Sequence, residues 1–200
     1  MSVWQRGLGE IPAKEIVLDP FEAARRLGAA PGYTDEAVEE GLRLVKKTAR
    51  CRYCYMLTPV RLGKSGCCDV GFGEFTSLDL FKNLQNCTGA YVFAVTLGVE
   101  IDRLIAKQKV ISRAQMFIVD AISSAFAESF CGAVDRLLRT GKKCRPRFSP
   151  GYGDLPLSVQ PQLLRAIEAC KIGIALNDSL LMSPWKSITA IMGVLDENNG

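Results

Sequence analysis

The sequence contains no histidine. That absence excludes Ser-His-Asp and Cys-His catalysis, histidine general bases, Cys/His zinc sites, and any histidine donated to iron or cobalt. Chemistry here must run on carboxylates, tyrosines, cysteines, arginine or lysine, backbone amides, or a reagent carried elsewhere. Long apolar runs are missing too. The longest, Ala90–Val99, is ten residues with a glycine in it. A spanning helix needs about 20, so no bilayer crossing is expected. The opening Met-Ser-Val-Trp-Gln-Arg-Gly has no apolar h-region, and a secretory signal is not expected. No sign of charge dominates. The net charge is +4 and the basic residues are scattered, which permits an acidic partner without pointing to nucleic acid.

What is present is an ordinary globular composition. Apolar residues make up 48% and charged residues 23%, which excludes disorder and fibrous repeats. No repeat, low-complexity tract or linker divides the chain, so one domain over residues 1–200 is expected. There are eight cysteines, at 51, 54, 67, 68, 87, 131, 144 and 170. With no signal segment the expected compartment is the cytoplasm, where thiols stay reduced. Cys51-Arg-Tyr-Cys54 followed by Cys67-Cys68 invites a four-thiolate zinc or iron–sulfur reading. Residues 54–60 and 66–72, however, read as two strands joined by Leu62-Gly63-Lys64-Ser65. Cys67 would then face Val60, roughly 20 Å along the strand from Cys54. Buried structural thiols are the preferred reading and a metal site the alternative.

Start and stop signals divide the chain. Glu15–Leu18 reads as a short strand, and Asp19-Pro20 as an N-cap with proline at N1 of a helix ended by Gly28. Thr34 would cap a second helix with Val38, Leu42 and Val45 on one face. Thr76-x-x-Asp79 opens a helix through Leu84. Tyr91–Thr96, continuous and partly β-branched, marks a strand buried on both faces, and Gly98 leads to a helix around Ile101–Ile105. Ser112-Arg-Ala-Gln115 is a capping box opening the longest helix, to about Leu138. Phe117, Ile118, Ile122, Ala125, Phe126 and Phe130 cover a broad face of it, so it should cross the core. Ser158 would begin a helix carrying Leu163, Leu164 and Ile167, with strands near Ile172–Leu176 and Ser187–Val194. The uneven alternation favours an α+β fold with a mostly antiparallel sheet over a doubly wound one.

Two nucleotide motifs fail. Gly63-Lys64-Ser65 resembles the tail of a P-loop, but Thr58 stands where the motif needs glycine. Gly71-Phe-Gly73 lacks the third glycine and the following helix of a Rossmann turn. Asp102, Asp120 and Glu128 fall on helices, where solvated or ion-paired faces are the plain expectation.

Arg147-Phe-Ser-Pro-Gly-Tyr152-Gly-Asp154 is harder to explain as simple connection. Pro150-Gly151 fits positions i+1 and i+2 of a type II turn, fixing the backbone between Arg147 and Tyr152. A guanidinium fork, backbone amides and an aromatic ring then share one small loop. A fork binds carboxylate bidentately and a tyrosine face favours a cation. An amino acid or S-adenosylmethionine carries both groups. The plainer alternative is a surface turn whose arginine makes a salt bridge.

At this loop the sequence resembles the activation (reactivation) domain of cobalamin-dependent methionine synthase, as a small stand-alone relative. Arg147-x-x-x-Gly151-Tyr152 matches that domain's Arg-x-x-x-Gly-Tyr motif. Ala125-Phe126-Ala127-Glu128 is similar to its Ala-Phe-Ala-Glu segment. Leu176-Asn-Asp-Ser179 with Met182-Ser-Pro184-x-x-Ser187 resembles its Leu-Thr-Glu-Ser…Met-x-Pro-x-x-Ser run, and Phe93-Ala-Val-Thr96-Leu-Gly98 also fits. The likeness covers roughly residues 90–194, and residues 1–89 match only in style.

The resemblance implies an S-adenosylmethionine site. Arg147 would hold the methionine carboxylate, Ser149 would offer backbone contacts from the Pro150-Gly151 turn, and Tyr152 would lie beside the ligand. Ser124 stands where the family has an acidic residue one turn before the matched glutamate, leaving Glu128 to meet the ligand's ammonium. The family's cysteine-containing stretch after Gly-Tyr is replaced by Gly153-Asp-Leu-Pro-Leu157. In that family cob(II)alamin accepts an electron from flavodoxin and is remethylated from S-adenosylmethionine. Without histidine this chain lacks the cobalt-ligating Asp-x-His-x-x-Gly motif, so cobalamin would arrive on another protein. The implied function is a reactivation partner for a separate corrinoid methyltransferase such as methionine synthase, with a flavodoxin-like electron donor. Two alternatives stay open: a non-catalytic module that docks on a corrinoid protein, and a thiolate metal or redox protein.

Overall fold

The computed structural model describes residues 5–30 and 33–195; residues 1–4 of the opening stretch lie outside them. Along the chain the elements are β1 (Gln5–Glu10), α1 (Pro20–Leu27), α2 (Glu36–Thr48), β2 (Arg52–Pro59), β3 (Arg61–Leu62), β4 (Cys67–Asp69) and β5 (Glu74–Thr76). There follow α3 (Leu78–Asn83), β6 (Cys87–Thr96), α4 (Val99–Ile111), α5 (Arg113–Leu138), α6 (Gln160–Ala166), β7 (Ala175–Leu176), β8 (Met182–Ser183) and β9 (Ser187–Leu195). The fold is α+β with antiparallel sheets, as the sequence led us to expect. Its centre is a four-stranded sheet in the order β1-β2-β6-β9.

β6 is buried on both faces, which explains its continuous apolar run. Tyr91, Phe93 and Val95 pack into the layer of α2, α4 and α5, while Ala90, Val92 and Ala94 pack into the opposite layer of α3, α6 and β3–β5. The long helix α5 begins where Ser112 Oγ accepts the Gln115 amide at 3.3 Å, the expected cap. By length and composition α5 would suffice to cross a membrane. Its Val119, Ile122, Phe126, Phe130 and Val134 are instead buried in the core beside the sheet. Phe117 departs from the expected core face and is 53% exposed. The Asp19 cap and the Gly28 stop of α1 are as expected, with Phe21 N donating to Asp19 Oδ1 at 2.9 Å and Gly28 at φ +66°.

Other expectations are corrected. Glu15–Leu18 forms no strand: Pro12 cannot continue the β1–β2 ladder, and a 3-10 turn over Ala13–Glu15 follows it. The caps of α2 and α3 are Asp35 and Ser77, one residue after Thr34 and Thr76, because those side chains reach the third amide of each helix. The large hairpin does not form. β2 alternates Cys54, Met56 and Thr58 with Tyr53, Tyr55 and Leu57 towards two different layers, and so is held between β1 and β6. Only β3 and β4 make the turn, pairing Arg61 with Asp69 and Leu62 with Cys68. A 3-10 turn over Leu157–Val159 precedes α6, and another over Ala169–Ile172 replaces the start of the expected strand.

The cysteines are dispersed by this topology. Cys51 packs with the helical layer and Cys54 with the opposite one, and burial pushes both thiols up to about 12. Cys68 is pushed up to about 11 for the same reason. Among the described residues no three His, Cys, Asp or Glu side chains converge as metal ligands.

Candidate functional site

Past α5 the chain returns along the outer edge of β9. Phe148 N donates to Ile191 O at 2.8 Å and Ile191 N to Phe148 O at 2.7 Å, with Arg145 N on Gly193 O at 2.8 Å. This irregular fifth strand ends in the turn Ser149-Pro150-Gly151-Tyr152. Tyr152 N donates to Ser149 O at 3.1 Å and Gly151 sits at φ +88°, the positive value a type II turn requires. The turn is pinned from two sides. Ser149 Oγ donates to Thr189 O at 2.7 Å. Two residues beyond Tyr152, Asp154 accepts from Leu78 N at 2.6 Å, from Asp79 N at 3.2 Å and from Ser77 Oγ. The Ser77 hydroxyl, with those amides, holds the Asp154 carboxyl below its ordinary value.

Arg147 turns towards α5, where Glu128, Cys131 and Asp135 share a face at spacings of three and four. Its Nε lies 3.3 Å from Asp135 Oδ2 and its Nη2 lies 3.8 Å from Glu128 Oε2. Nη1 donates to Cys131 Sγ. Burial pushes that thiol up to about 12, outweighing the pull of Arg147, so it meets the guanidinium as a neutral acceptor. The arginine side chain remains 30% exposed. Two of its nitrogens are thus anchored internally, and Nη2 faces the looser Glu128 contact.

A cleft of about 580 Å³ opens between this ion pair and the turn. Glu128, Arg147, Ser149, Pro150 and Tyr152 line one part of it. Leu157, Gln160, Met182, Ile188 and Thr189 line the rest. Tyr152 stands at the mouth, 68% exposed. An acid and a guanidinium at one end and apolar walls at the other suit an elongated zwitterion with an uncharged tail.

Five of the residues singled out in the sequence therefore gather here, and Gly151 shapes the turn from behind. Ser124 does not join them. Its Oγ donates to Asp120 O at 3.0 Å and accepts from Lys186 Nζ at 2.9 Å. Lys186 also pairs with Asp120 at 2.8 Å, and Ser124 is not among the residues that line the cleft. Asp102 accepts the Trp185 amide at 3.1 Å, and burial raises its carboxyl. Sequence reasoning missed Gln160, Thr189 and Asp154. A carboxylate after a Gly-Tyr-Gly turn is a capping signal in itself, but its helix lies far back in the chain, with Ser77 at a separation of 77 residues.

No family model and no curated protein sequence matches the chain. Among solved structures, the crystal structure of the MetH reactivation domain bound to AdoHcy matches with a TM-score of 0.67. Identity is 16%, over 96% of this chain and 79% of that one. The fold is that of the MetH reactivation domain. At this identity the likeness is one of backbone, and it extends over most of residues 1–89, where the sequence matched only in style.

Proposed function

We propose that this chain binds S-adenosylmethionine and supports reductive methylation of cob(II)alamin held by a separate corrinoid methyltransferase such as methionine synthase. One observation carries the reading. Arg147, Glu128 and Tyr152 line a single cleft, in a chain whose fold is shared with a domain crystallised with AdoHcy. The residues fit such a ligand: Glu128 suits its ammonium, Arg147 Nη2 its carboxylate, and the Tyr152 ring a sulfonium at the mouth. Cobalamin, carried by the partner, would supply the nucleophile that takes the methyl group, and a flavodoxin-like donor the electron. The chain has no histidine to ligate cobalt. Its own residues would bind the ligand, orient the methyl group outwards at the cleft mouth and keep it in line with the acceptor. Such positioning needs no proton transfer.

The test is reconstitution. A methionine synthase truncated before its own activation domain and inactivated as cob(II)alamin is mixed with this chain, S-adenosylmethionine and a low-potential reductant. Recovery of methylcobalamin, seen in the cobalt absorption spectrum, is the expected outcome. An unchanged recovery rate, or recovery without S-adenosylmethionine, defeats the proposal. A second reading, a non-catalytic module that docks on a corrinoid protein, draws support from the internal pairing of Arg147 with Asp135. Calorimetry separates the two, because a docking module has no need to bind S-adenosylmethionine.

A further inference from the structure

The cleft straddles the edge of the sheet. Along β9, Ile188, Ala190 and Met192 pack on the α5 side, and Ile191 packs on the side of α6. Alternation places Thr189 with Ile191. Arg147 and Glu128 therefore form the end of the cleft on the α5 side, and Gln160 lines its end on the α6 side. Gln160 is only 4% exposed, although its carboxamide carries two donors and an acceptor. Thr189 Oγ1 donates to Gln160 Oε1 at 3.0 Å, which fixes the amide so that its nitrogen is the end left for other partners. That nitrogen makes one long bond, 3.4 Å, to Leu180 O. Among the described residues its second N–H has no partner. A buried donor left unpaired is costly, and this one belongs to a side chain lining the cleft. Leu180 itself is held at φ +60°, an uncommon value for a leucine, in the turn between β7 and β8, two residues before Met182 of the same wall.

We infer that Gln160 is a specificity-determining residue, donating a hydrogen bond to an acceptor on the nucleoside half of the ligand. The inference rests on the proposed ligand class. With the amino-acid end of the ligand at Arg147 and Glu128, the remainder runs along the apolar walls and over the sheet edge to the amide. Thr189 is a positioning residue: it sets the orientation of the amide and, through its carbonyl and Ser149, ties that orientation to the turn.

The experiment compares two ligands by calorimetry on the full chain. AdoHcy has both ends, and 5′-deoxy-5′-methylthioadenosine keeps the nucleoside but lacks the amino-acid end. Gln160→Leu removes the donor. Gln160→Glu replaces it with an acceptor while keeping a partner for Thr189, so it carries the test if the leucine variant fails to fold. Both variants should weaken both ligands by a similar factor of about ten. Arg147→Ala should weaken AdoHcy far more than methylthioadenosine. A folded Gln160→Glu protein that binds methylthioadenosine as wild type does would overturn the inference and leave the ligand class standing. Wild-type protein that binds neither ligand would overturn the ligand class, and this inference with it.

Discussion

The two faces of the sheet are built differently. On one, α5 runs 26 residues and gathers α1, α2 and α4 against itself. On the other, Met56, Val92 and Ile191 are covered by short pieces, of which α3 has six residues and α6 seven. A helix as long as α5 satisfies most of its backbone internally and buries a broad apolar face. Helices of two turns are marginal by themselves and take their stability from tertiary contacts. The cleft opens where these two constructions meet, at the edge of β9. Its ionic end comes from the long helix and its amide end from the short pieces. The comparison teaches that the site takes its charge from the face built on one long helix and its amide from the face built on short pieces.

The sharpest way to break that contrast is to hollow each face in turn. Phe126→Ala, in the fully buried helical face, should cost about 3–5 kcal/mol in denaturant unfolding. Leu163→Ala, equally buried opposite, should fall near the lower end of the leucine range, about 2 kcal/mol, because short elements relax into the cavity. The reverse order would erase the distinction.

At the ionic end, Arg147→Ala should weaken S-adenosylmethionine binding by about 2–4 kcal/mol, with lysine restoring part of the loss, because one ammonium cannot keep the Asp135 and Cys131 contacts and also meet the ligand where Nη2 does. Equal affinity in the wild type and the alanine variant would remove Arg147 from the site. A smaller effect is expected at the caps. Ser112→Ala should lower global stability by about 1 kcal/mol, since one amide of the principal helix loses its acceptor.

The smallest effect concerns pH. Asp154 has a lowered carboxyl in the folded chain, so its contribution is complete above the usual aspartate range, about pH 4, and is lost as pH falls through the lower folded value. Asp154→Asn should flatten that part of the stability curve and raise amide exchange in the 147–157 loop. An unchanged acid limb would show that the link to α3 does not hold the loop.

Legibility followed the same division. The Asp19 and Ser112 caps, the Gly28 stop and the buried run of β6 are local signals, and the structure places them where the sequence does. The helical face was therefore largely readable. The hairpin expected over 54–72 was not, because β2 has two apolar faces and only its pairing with β1 and β6 tells which strands flank it. At the site, Arg147, Pro150, Gly151 and Tyr152 stood out because a Pro-Gly turn fixes its own geometry. Ser124 lies outside the cleft lining and bonds instead to Lys186, 62 residues away, a contact that no local pattern announces.

By itself, then, the sequence determined the capped helices, the twice-buried strand, the type II turn and the absence of any histidine chemistry. These depend on backbone propensities, periodicity and residue type within a few positions. The tertiary structure alone decided that Glu128 meets Arg147, that Asp154 reaches back to α3, and that Thr189 turns Gln160 towards the cleft. Each of these is a directional contact between segments far apart in the chain. Its geometry exists only after the sheet has brought the segments together, and no local pattern encodes it.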